Sequence, residues 1–505
     1  EIEIPDTVTT IGMRAFYGAT NLVSVSIPDC TTGIDGEAFS HCTKLTTVEI
    51  PNGVTYIGPY AFENCTNLAS VNLPADLETL YDYAFKNCTA LTEINIPAGL
   101  SKAYHPFEGC SNLKMFHFED GITQIADYLF ADCTTLTEIK IPDTVTTIGT
   151  GAFYEATKLA SVSIPDSVTT INSNAFQECD ALTSVTIPSG VTEIGGYAFS
   201  GCDKLAEVSL SNGLKTIGDS AFYNCVSLKS ITIPRTVTSL GTGAFSGDKV
   251  LAEVTLGTGL TSIPTECFYQ SPALTKIRIP NRVTQIGDRA FANCTKLTEV
   301  TLPAATTSIS SSAFSYPARM TIYGYEGSYA QTFASSKNIK FVARTDVDYI
   351  DVNDLTITLG TVNPYRGSPV EPTVTVKDGS VTLTKDTHYT LTYANSNTVG
   401  MASVTITGLN EAGYGSTKTI EYRIPGFTMT FNANGGTVNP TSKEIVYGQP
   451  VGELPVPVRD GYSFVGWFLG NTHYTEDTIY TTTYGCTVYA RWSDAAAITS
   501  QPVNT

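Results

Sequence analysis

This 505-residue sequence lacks the usual signals of membrane and nucleic-acid proteins. It has no run of about 18 apolar residues, so we expect no direct membrane insertion, and no signal peptide is visible at its start. Basic residues are scarce, with 29 lysines and arginines against 48 aspartates and glutamates and a net charge of −19. Such a negative field repels nucleic acid and anionic lipid, which argues against both as partners.

Catalytic and metal-binding signatures are missing as well. The chain has no His-Glu-x-x-His, Gly-x-Ser-x-Gly, P-loop or Cys-x-x-Cys motif. Its five histidines are scattered, and no serine or aspartate stands beside a base at a spacing that would activate a nucleophile. We therefore expect that the protein is not an enzyme and has no catalytic residues, no cofactor and no metal site.

The most prominent feature that is present is an internal repeat. Phenylalanine recurs at intervals of 23 residues, with one interval of 22, at fourteen positions: Phe16, Phe39, Phe62, Phe85, Phe107, Phe130, Phe153, Phe176, Phe199, Phe222, Phe245, Phe268, Phe291 and Phe314. One unit of this length cannot bury its own apolar side, whereas stacked units cover one another. The period therefore predicts a stack of fourteen similar units, numbered below by their phenylalanine.

The spacing of apolar residues inside one unit predicts its local structure. Val208 and Leu210 lie two residues apart and would point the same way from a strand, while Val191 and Ile194 mark a second short extended segment. The apolar residues of 198–205 recur at steps of three and four, which is typical of one face of a helical turn. Parallel strands joined by such crossovers coil right-handed. We predict a mainly β fold with short helical turns, built as a right-handed solenoid of about 14 repeats.

The repeat resembles the BspA-like family of bacterial leucine-rich repeats, whose unit reads Leu-x-x-Val-x-Ile-Pro-x-x-Val-x-x-Ile-Gly-x-x-Ala-Phe-x-x-Cys. The resemblance covers residues 1–343 and includes a stretch at 322–333 that looks like the C-terminal cap of that family. It implies an exported bacterial protein, secreted or held at the cell surface. Members of the family attach to host matrix proteins such as fibronectin or fibrinogen.

The sequence changes character after the repeats. Residues 344–425 contain short alternating runs and are similar to bacterial Ig-like repeats, which implies a small β-sandwich. Residues 426–493 resemble the Listeria–Bacteroides repeat through the motifs at 431–436, 459–467 and 487–492, which implies a β-grasp-like module whose core holds both tryptophans. Residues 494–505 read as a linker into a missing domain. We accordingly expect the chain to be part of a longer, anchored surface protein.

Nine cysteines lie three residues after the repeat phenylalanine: Cys42, Cys65, Cys88, Cys110, Cys133, Cys179, Cys202, Cys225 and Cys294. The same slot holds alanine in other units, which favours a small core residue with a free thiol. Disulfides between neighbouring units remain an alternative because adjacent strands lie within the span of a disulfide. A metal site is disfavoured because a linear ladder of cysteines supplies no converging ligands.

The outward positions of the first strand in each unit are mostly small and polar, and an exposed sheet of this kind is the surface on which solenoids bind ligands. The 22-residue unit departs from the pattern: residues 102–106 read Lys-Ala-Tyr-His-Pro, and the strand at 115–118 reads Met-Phe-His-Phe. Two explanations are open, a functional site or a deletion repaired by bulkier packing. The candidate ligand-binding residues around this unit are Glu93, Asn95, Met115, His117, Glu138 and Lys140.

Three functions are compatible with the sequence. The first is an adhesin, in which the solenoid binds a protein ligand such as a host extracellular matrix protein and the β modules form a stalk. The second is a structural surface spacer that contacts copies of itself. The third is glycan binding, which is weakened by the scarcity of aromatic residues in the outward columns of the sheet.

Overall fold

The computed structural model describes residues 2–315, 319–345, 349–378, 381–409 and 414–494. The chain forms two compact units, Glu1–Asp348 and Tyr349–Thr505. Each is described by itself below. Apart from residue 494, the expected linker at 494–505 lies outside the described residues.

The first unit is the predicted mainly β solenoid. Each repeat contributes one strand to a parallel sheet, and neighbouring repeats pair in register, as where Val185 lies opposite Val208. These strands are Ile2–Glu3, Ser24–Ser26, Thr47–Glu49, Ser70–Asn72, Glu93–Ile96, Met115–Phe118, Glu138–Lys140, Ser161–Ser163, Ser184–Ile187, Glu207–Leu210, Ser230–Thr232, Glu253–Thr255, Lys276–Arg278 and Glu299–Thr301. Within a strand the middle residue is inward and the flanking residues are exposed, as at Val48 between Thr47 and Glu49. We call the exposed side the sheet face.

A second ladder of two-residue strands runs beside the first. Its strands are Thr10–Ile11, Gly33–Ile34, Tyr56–Ile57, Thr79–Leu80, Lys102–Ala103, Gln124–Ile125, Thr147–Ile148, Thr170–Ile171, Glu193–Ile194, Thr216–Ile217, Ser239–Leu240, Ser262–Ile263, Gln285–Ile286 and Ser308–Ile309. Its second residue points inward and is buried, for example Ile194 and Ile217. The two ladders thus supply apolar side chains to one core, as the spacing of the sequence indicates.

The segment around the repeat phenylalanine is a run of turns rather than a helix. In unit 8 the backbone N–H groups of Asn174, Phe176 and Glu178 donate to carbonyls of the next unit at 2.9, 2.7 and 2.8 Å. Asn174 and Glu178 have φ values of 60° and 57°, in the left-handed region. Because residues on both sides of the phenylalanine are left-handed, a helix cannot propagate, and the N–H groups form a third ladder between units. We call this side the turn face.

The phenylalanines and cysteines form the centre of the stack. Phe153 and Phe176 stack with ring centroids 5.0 Å apart and planes 4° apart, and this arrangement recurs through most of the solenoid. All nine ladder cysteines are buried free thiols. The Cys202 sulfur lies 3.1 Å from the Phe176 carbonyl oxygen of the preceding unit, and seven other ladder cysteines make the same contact. Each of these eight thiols therefore donates to a core carbonyl while filling a small space.

A strand, a helix and a strand follow the fourteenth unit, at Thr321–Gly324, Tyr329–Ser336 and Lys340–Ala343. Both strands continue the parallel sheet. The helix buries Phe333, whose ring lies 6.2 Å from that of Phe314. The apolar end of the stack is thereby covered by residues of the segment expected to form a cap.

The second unit contains two small cores. The first is built from the strands Ile350–Asp351, Thr356–Leu359, Val374–Asp378, Val381–Thr382, Tyr389–Ala394, Gly400–Gly408, Tyr414–Gly415 and Thr417–Ile424, with a 3₁₀ turn at Val352–Asp354. Two antiparallel three-stranded sheets, 356–382 and 389–424, contribute to this core, which includes Val376, Val404 and Ile406. A layered β module is therefore present at 349–424, and its Ig-like character remains a prediction.

The second core belongs to a five-stranded mixed sheet. Its strands are Phe427–Asn432, Ser442–Ile445, Tyr462–Leu469, Thr472–Tyr474 and Cys486–Asp494. Trp467 is buried, and its indole N–H donates to the Pro455 carbonyl at 2.8 Å. Trp492 packs against the same core, and Phe464 lies between the two indoles at 5.5 and 5.7 Å. Both tryptophans thus serve this module, as expected.

Candidate ligand-binding surface

The 22-residue unit changes how unit 5 meets unit 6. In residues 2–315 each joint between consecutive units keeps at least one of the three backbone ladders, except this one. The strands Met115–Phe118 and Glu138–Lys140 are not paired, and the second ladder is reduced to one bridge between Lys102 and Asp127. The turn-face hydrogen bonds, three in each of the other joints up to unit 13, are absent between these two units. We call this joint the seam.

Bulky inward side chains occupy the seam. Phe116 and Phe118 stand where regular strands carry valine, isoleucine or leucine. The rings of Phe107 and Phe130 do not stack; instead Phe116 lies between them, at 6.2 Å from the first and 4.6 Å from the second. Phe118 also contacts Phe130, at 6.1 Å. The deletion is thus filled by larger packing, the second explanation that the sequence left open, and the same packing separates the two strands.

Side chains hold the seam on the turn face. His105 adopts a left-handed φ of 49°, and its Nδ1 lies 2.6 Å from the Asp132 carboxylate of unit 6. The imidazole also stacks on Tyr128, with centroids 5.0 Å apart, and meets Tyr154 edge-on at 6.3 Å. The hydrogen bond that the Asp132 carboxylate accepts raises the pKa of His105, against the opposing effect of burial. A hydrogen-bonded histidine–aspartate pair therefore replaces backbone ladders across this joint.

On the sheet face the seam forms a cleft of about 610 Å³. Of the six predicted residues, Met115, His117, Glu138 and Lys140 line it. The other lining residues are Lys114, Phe116, Leu136, Ile139, Ser161, Val162 and Ser163. The cleft thus has an apolar floor between the separated strands and polar walls on both sides.

The remaining predicted residues lie on the neighbouring strand. Glu93 is opposite Met115 and Asn95 is opposite His117 in the parallel register. The Glu93 carboxylate lies 3.5 Å from the His117 imidazole, and both side chains are more than half exposed. The structure therefore places all six residues on three consecutive strands, with Glu93 and Asn95 beside the cleft rather than in its wall.

Several residues of this surface escape sequence reasoning. The floor residues Leu136, Ile139 and Val162 look like ordinary core positions; Leu136 and Ile139 are buried, and all three line the cleft. Asp132 looks like any polar residue of the turn face, yet it is the partner of His105. The one sequence signal for both is the 22-residue interval, which marks where the stacking changes.

Of the residues described, no helix is long and apolar enough to cross a membrane. Across the same parts of the chain, no group of three or more histidine, cysteine, aspartate or glutamate side chains is arranged to hold a metal ion.

Comparison with known proteins places these features in a family. The model of the BspA-type leucine-rich repeat region matches residues 1–114, 103–229 and 215–340, and the Listeria–Bacteroides repeat domain matches residues 427–491. No curated protein gives a significant match.

Solved structures of bacterial repeat proteins are similar to this chain. A leucine-rich repeat protein from Bacteroides ovatus is 28% identical with a TM-score of 0.57, over 68% of this chain and 92% of the other. A leucine-rich cell surface protein from Faecalibacterium prausnitzii is 27% identical with a TM-score of 0.33, over 65% and 88%. The family model covers residues 1–340 of the 505, and the chain therefore belongs to the family of BspA-type leucine-rich repeat proteins.

Proposed function

We propose that this chain is a bacterial surface or secreted binding protein whose sheet face binds a protein ligand at the seam cleft. Host extracellular matrix proteins are the partner class, and the β modules at 344–425 and 426–493 act as a stalk. The proposal rests on the cleft beside Met115, His117, Glu138 and Lys140. Elsewhere the outward columns of the sheet are mostly small and polar.

The chemistry of the cleft suits a protein surface. Met115 is 50% exposed, and a flexible thioether adapts to apolar side chains of different shapes. Lys114 and Lys140 stand near Glu138, while Glu93 faces His117, so both signs of charge are available within a few residues. Mixed charges around an apolar centre favour a partner that brings complementary charges to an apolar anchor.

The test measures binding of the chain to immobilised fibronectin and fibrinogen by surface plasmon resonance. The variant His117→Ala with Glu138→Lys is expected to weaken binding by about tenfold or more, the loss that follows when anchor contacts at the centre of an interface are removed. Thr186→Ala with Glu207→Lys is the matched control, because these residues occupy the same two outward columns on adjacent regular strands. The control is expected to change affinity by less than about twofold.

Two outcomes would refute the proposal. Equal losses from both variants would mean that the seam has no special part in binding. Binding to neither protein, together with concentration-dependent association of the chain in sedimentation velocity, would favour the structural spacer that contacts copies of itself.

A further inference from the structure

A second recess lies on the turn face of units 10–13, away from the sheet face. It has a volume of about 510 Å³ and sits around Gly247, the residue two positions after Phe245. In other units this position carries a side chain such as Asn224, Gln270 or Asn293. We call this recess the Gly247 notch; its principal lining residues are Tyr223, Asn224, Gly247, Lys249, Gln270 and Asn293.

Whether the space above this glycine is open depends on the side chain of the preceding unit. Gly201 occupies the same position in unit 9, but there the carboxylate of Glu178 fills the space, 2.5 Å from where a Cβ would lie. Above Gly247 the nearest atoms belong to Asn224 and are 3.4 Å or more from a Cβ position. A glycine alone therefore does not make the recess; it forms because the side chain of the preceding unit does not cover it.

The groups around the notch are hydrogen-bonding side chains with one charge. Within residues 2–315 the carboxamides of Asn224 and Asn293 make no hydrogen bond to protein, so their donors and acceptors are available to a ligand. Lys249 is exposed and is the one charged side chain among the lining residues. The Tyr223 side chain is 44% exposed and offers an aromatic surface at the rim.

The sequence of unit 11 places Lys249 beside the notch and an aspartate in the core. Residues 244–249 read Ala-Phe-Ser-Gly-Asp-Lys, whereas unit 9 reads Ala-Phe-Ser-Gly-Cys-Asp-Lys at 198–204. Unit 11 is as long as unit 9, so Asp248 stands in the buried cysteine slot and Lys249 stands one position nearer the glycine than Lys204 does. One Asp248 oxygen accepts the Cys225 N–H at 2.8 Å, and the other has no partner in the described structure.

We propose that the Gly247 notch binds a saccharide whose terminal ring carries a carboxylate. Carboxamides pair with sugar hydroxyls in both directions, an ammonium pairs with a carboxylate, and an exposed ring covers the apolar face of a pyranose. This site is independent of the protein-binding function proposed for the seam cleft. The same chain would then hold a protein ligand on the sheet face and an acidic sugar on the turn face.

The test compares sialyllactose with lactose by saturation-transfer NMR on the whole chain. Sialyllactose is expected to bind with a Kd on the order of 1 mM, as shallow single-sugar sites do, and lactose at least about tenfold more weakly because it has no carboxylate. Lys249→Gln should remove the difference between the two sugars. Absence of transfer to either sugar, or equal binding of both, would overturn the proposal.

Two variants that close the notch complete the experiment. Asn224→Glu copies the pairing of Glu178 with Gly201, and Gly247→Asn copies the residue found at Asn224 and Asn293, where φ is also positive. Both should abolish sialyllactose binding while thermal unfolding stays unchanged. Glu178→Asn is the matched control on the same column and should leave binding intact. Retained binding in both closed variants would place the sugar elsewhere and refute the assignment.

Discussion

The joint between units 8 and 9 and the seam between units 5 and 6 connect the same kind of repeat by different means. At the regular joint both strand ladders are paired, the turn face adds three backbone hydrogen bonds, and Phe176 stacks on Phe199 at 5.1 Å. At the seam the ladders are reduced to a bridge, and a histidine–aspartate pair with wedged phenylalanines takes their place.

This difference shows where a solenoid can carry a site. A stack is stabilised by the interfaces between neighbours, so a joint with fewer backbone bonds couples its two sides less strongly. The seam therefore divides the stack into units 1–5 and units 6–14, and the same separation opens the cleft on the sheet face. Recesses also lie over regular joints, as on the paired strands at Thr47 and Glu49, but the recess at the seam lies between unpaired strands.

The largest expected effect is at a regular joint. Phe199→Ala should lower the free energy of unfolding by about 3–5 kcal/mol, because it removes a fully buried ring that stacks on both sides. Urea denaturation followed by circular dichroism measures the change. An unchanged midpoint would contradict the central role of the phenylalanine stack.

Replacing Asp248 tests how a buried carboxyl affects stability at a joint whose turn-face ladder is intact. Burial raises the pKa of Asp248 well above its ordinary value, so the folded state favours the neutral carboxyl. The stability that a raised pKa contributes is fully present below the pKa of the unfolded state, near pH 4. It is lost as pH rises toward the pKa of the folded state. Asp248→Cys, which restores the ladder residue, should therefore stabilise the chain at pH 7 by about 1–3 kcal/mol and by less at pH 4.

Equal stability of Asp248→Cys and wild type at pH 7, measured by urea unfolding, would mean that the unpartnered oxygen has no cost. Cys225→Ala serves as a control for altered packing in the neighbouring slot.

The His105–Asp132 pair should make the seam sensitive to pH. Because the pKa of His105 is raised, the pair stabilises the folded state fully below about pH 6.5. This stabilisation disappears as pH rises through the pKa of His105 in the folded state. His105→Gln should cost about 1–2 kcal/mol at pH 6 and less at pH 8. Amide hydrogen exchange should show faster opening at Cys110 and Leu113 in this variant, because their N–H groups donate to carbonyls inside unit 5, with Phe199 unaffected. The groups facing His105 are Asp132, Glu108, Asp82, Tyr83, Tyr128 and Tyr154.

A pH-independent effect of His105→Gln would indicate that the imidazole acts by packing alone. Asp132→Asn keeps the size of the partner and removes its charge, so it should reproduce the loss at pH 6.

The smallest effect concerns thiol reactivity. Burial raises the pKa of Cys110 and Cys294 to about 12, and ladder thiols should stay unreactive until the chain unfolds. Among the described residues, the Cys133 thiol, at the seam, makes no hydrogen bond to a core carbonyl, unlike the Cys202 thiol. Timed alkylation with mass spectrometry should therefore modify exposed Cys30 first, then Cys133, and Cys202 last. Equal rates for Cys133 and Cys202 would show that the seam does not open more readily than regular joints.

Sequence reasoning recovered the stack because its causes are local and repeated. The 23-residue period, the inward valines and isoleucines and the buried Phe-x-x-Cys core all follow from the pattern of apolar residues. It located the irregular unit, and the structure gathers Met115, His117, Glu138 and Lys140 around one cleft there. Whether these residues bind a ligand remains a prediction.

The turn face was the least predictable part. The spacing of residues 198–205 indicates a helical turn, yet the turn contains left-handed residues that are not glycine, such as Tyr197. Their conformation is stabilised by hydrogen bonds to the next unit, so it depends on a neighbour 21 or 22 residues away in the sequence. A single unit contains no information about that partner.

By itself the sequence determined the family, the period and the core, because burial of recurring apolar side chains is encoded in each unit. Only the tertiary structure decided how consecutive units pack at each joint and where recesses form. The seam arises because Phe116 and Phe118 reach across to Phe130, and the Gly247 notch arises because Asn224 leaves space that Glu178 fills over Gly201. Both depend on which side chains of consecutive units meet, and that is set by stacking geometry rather than by residue order.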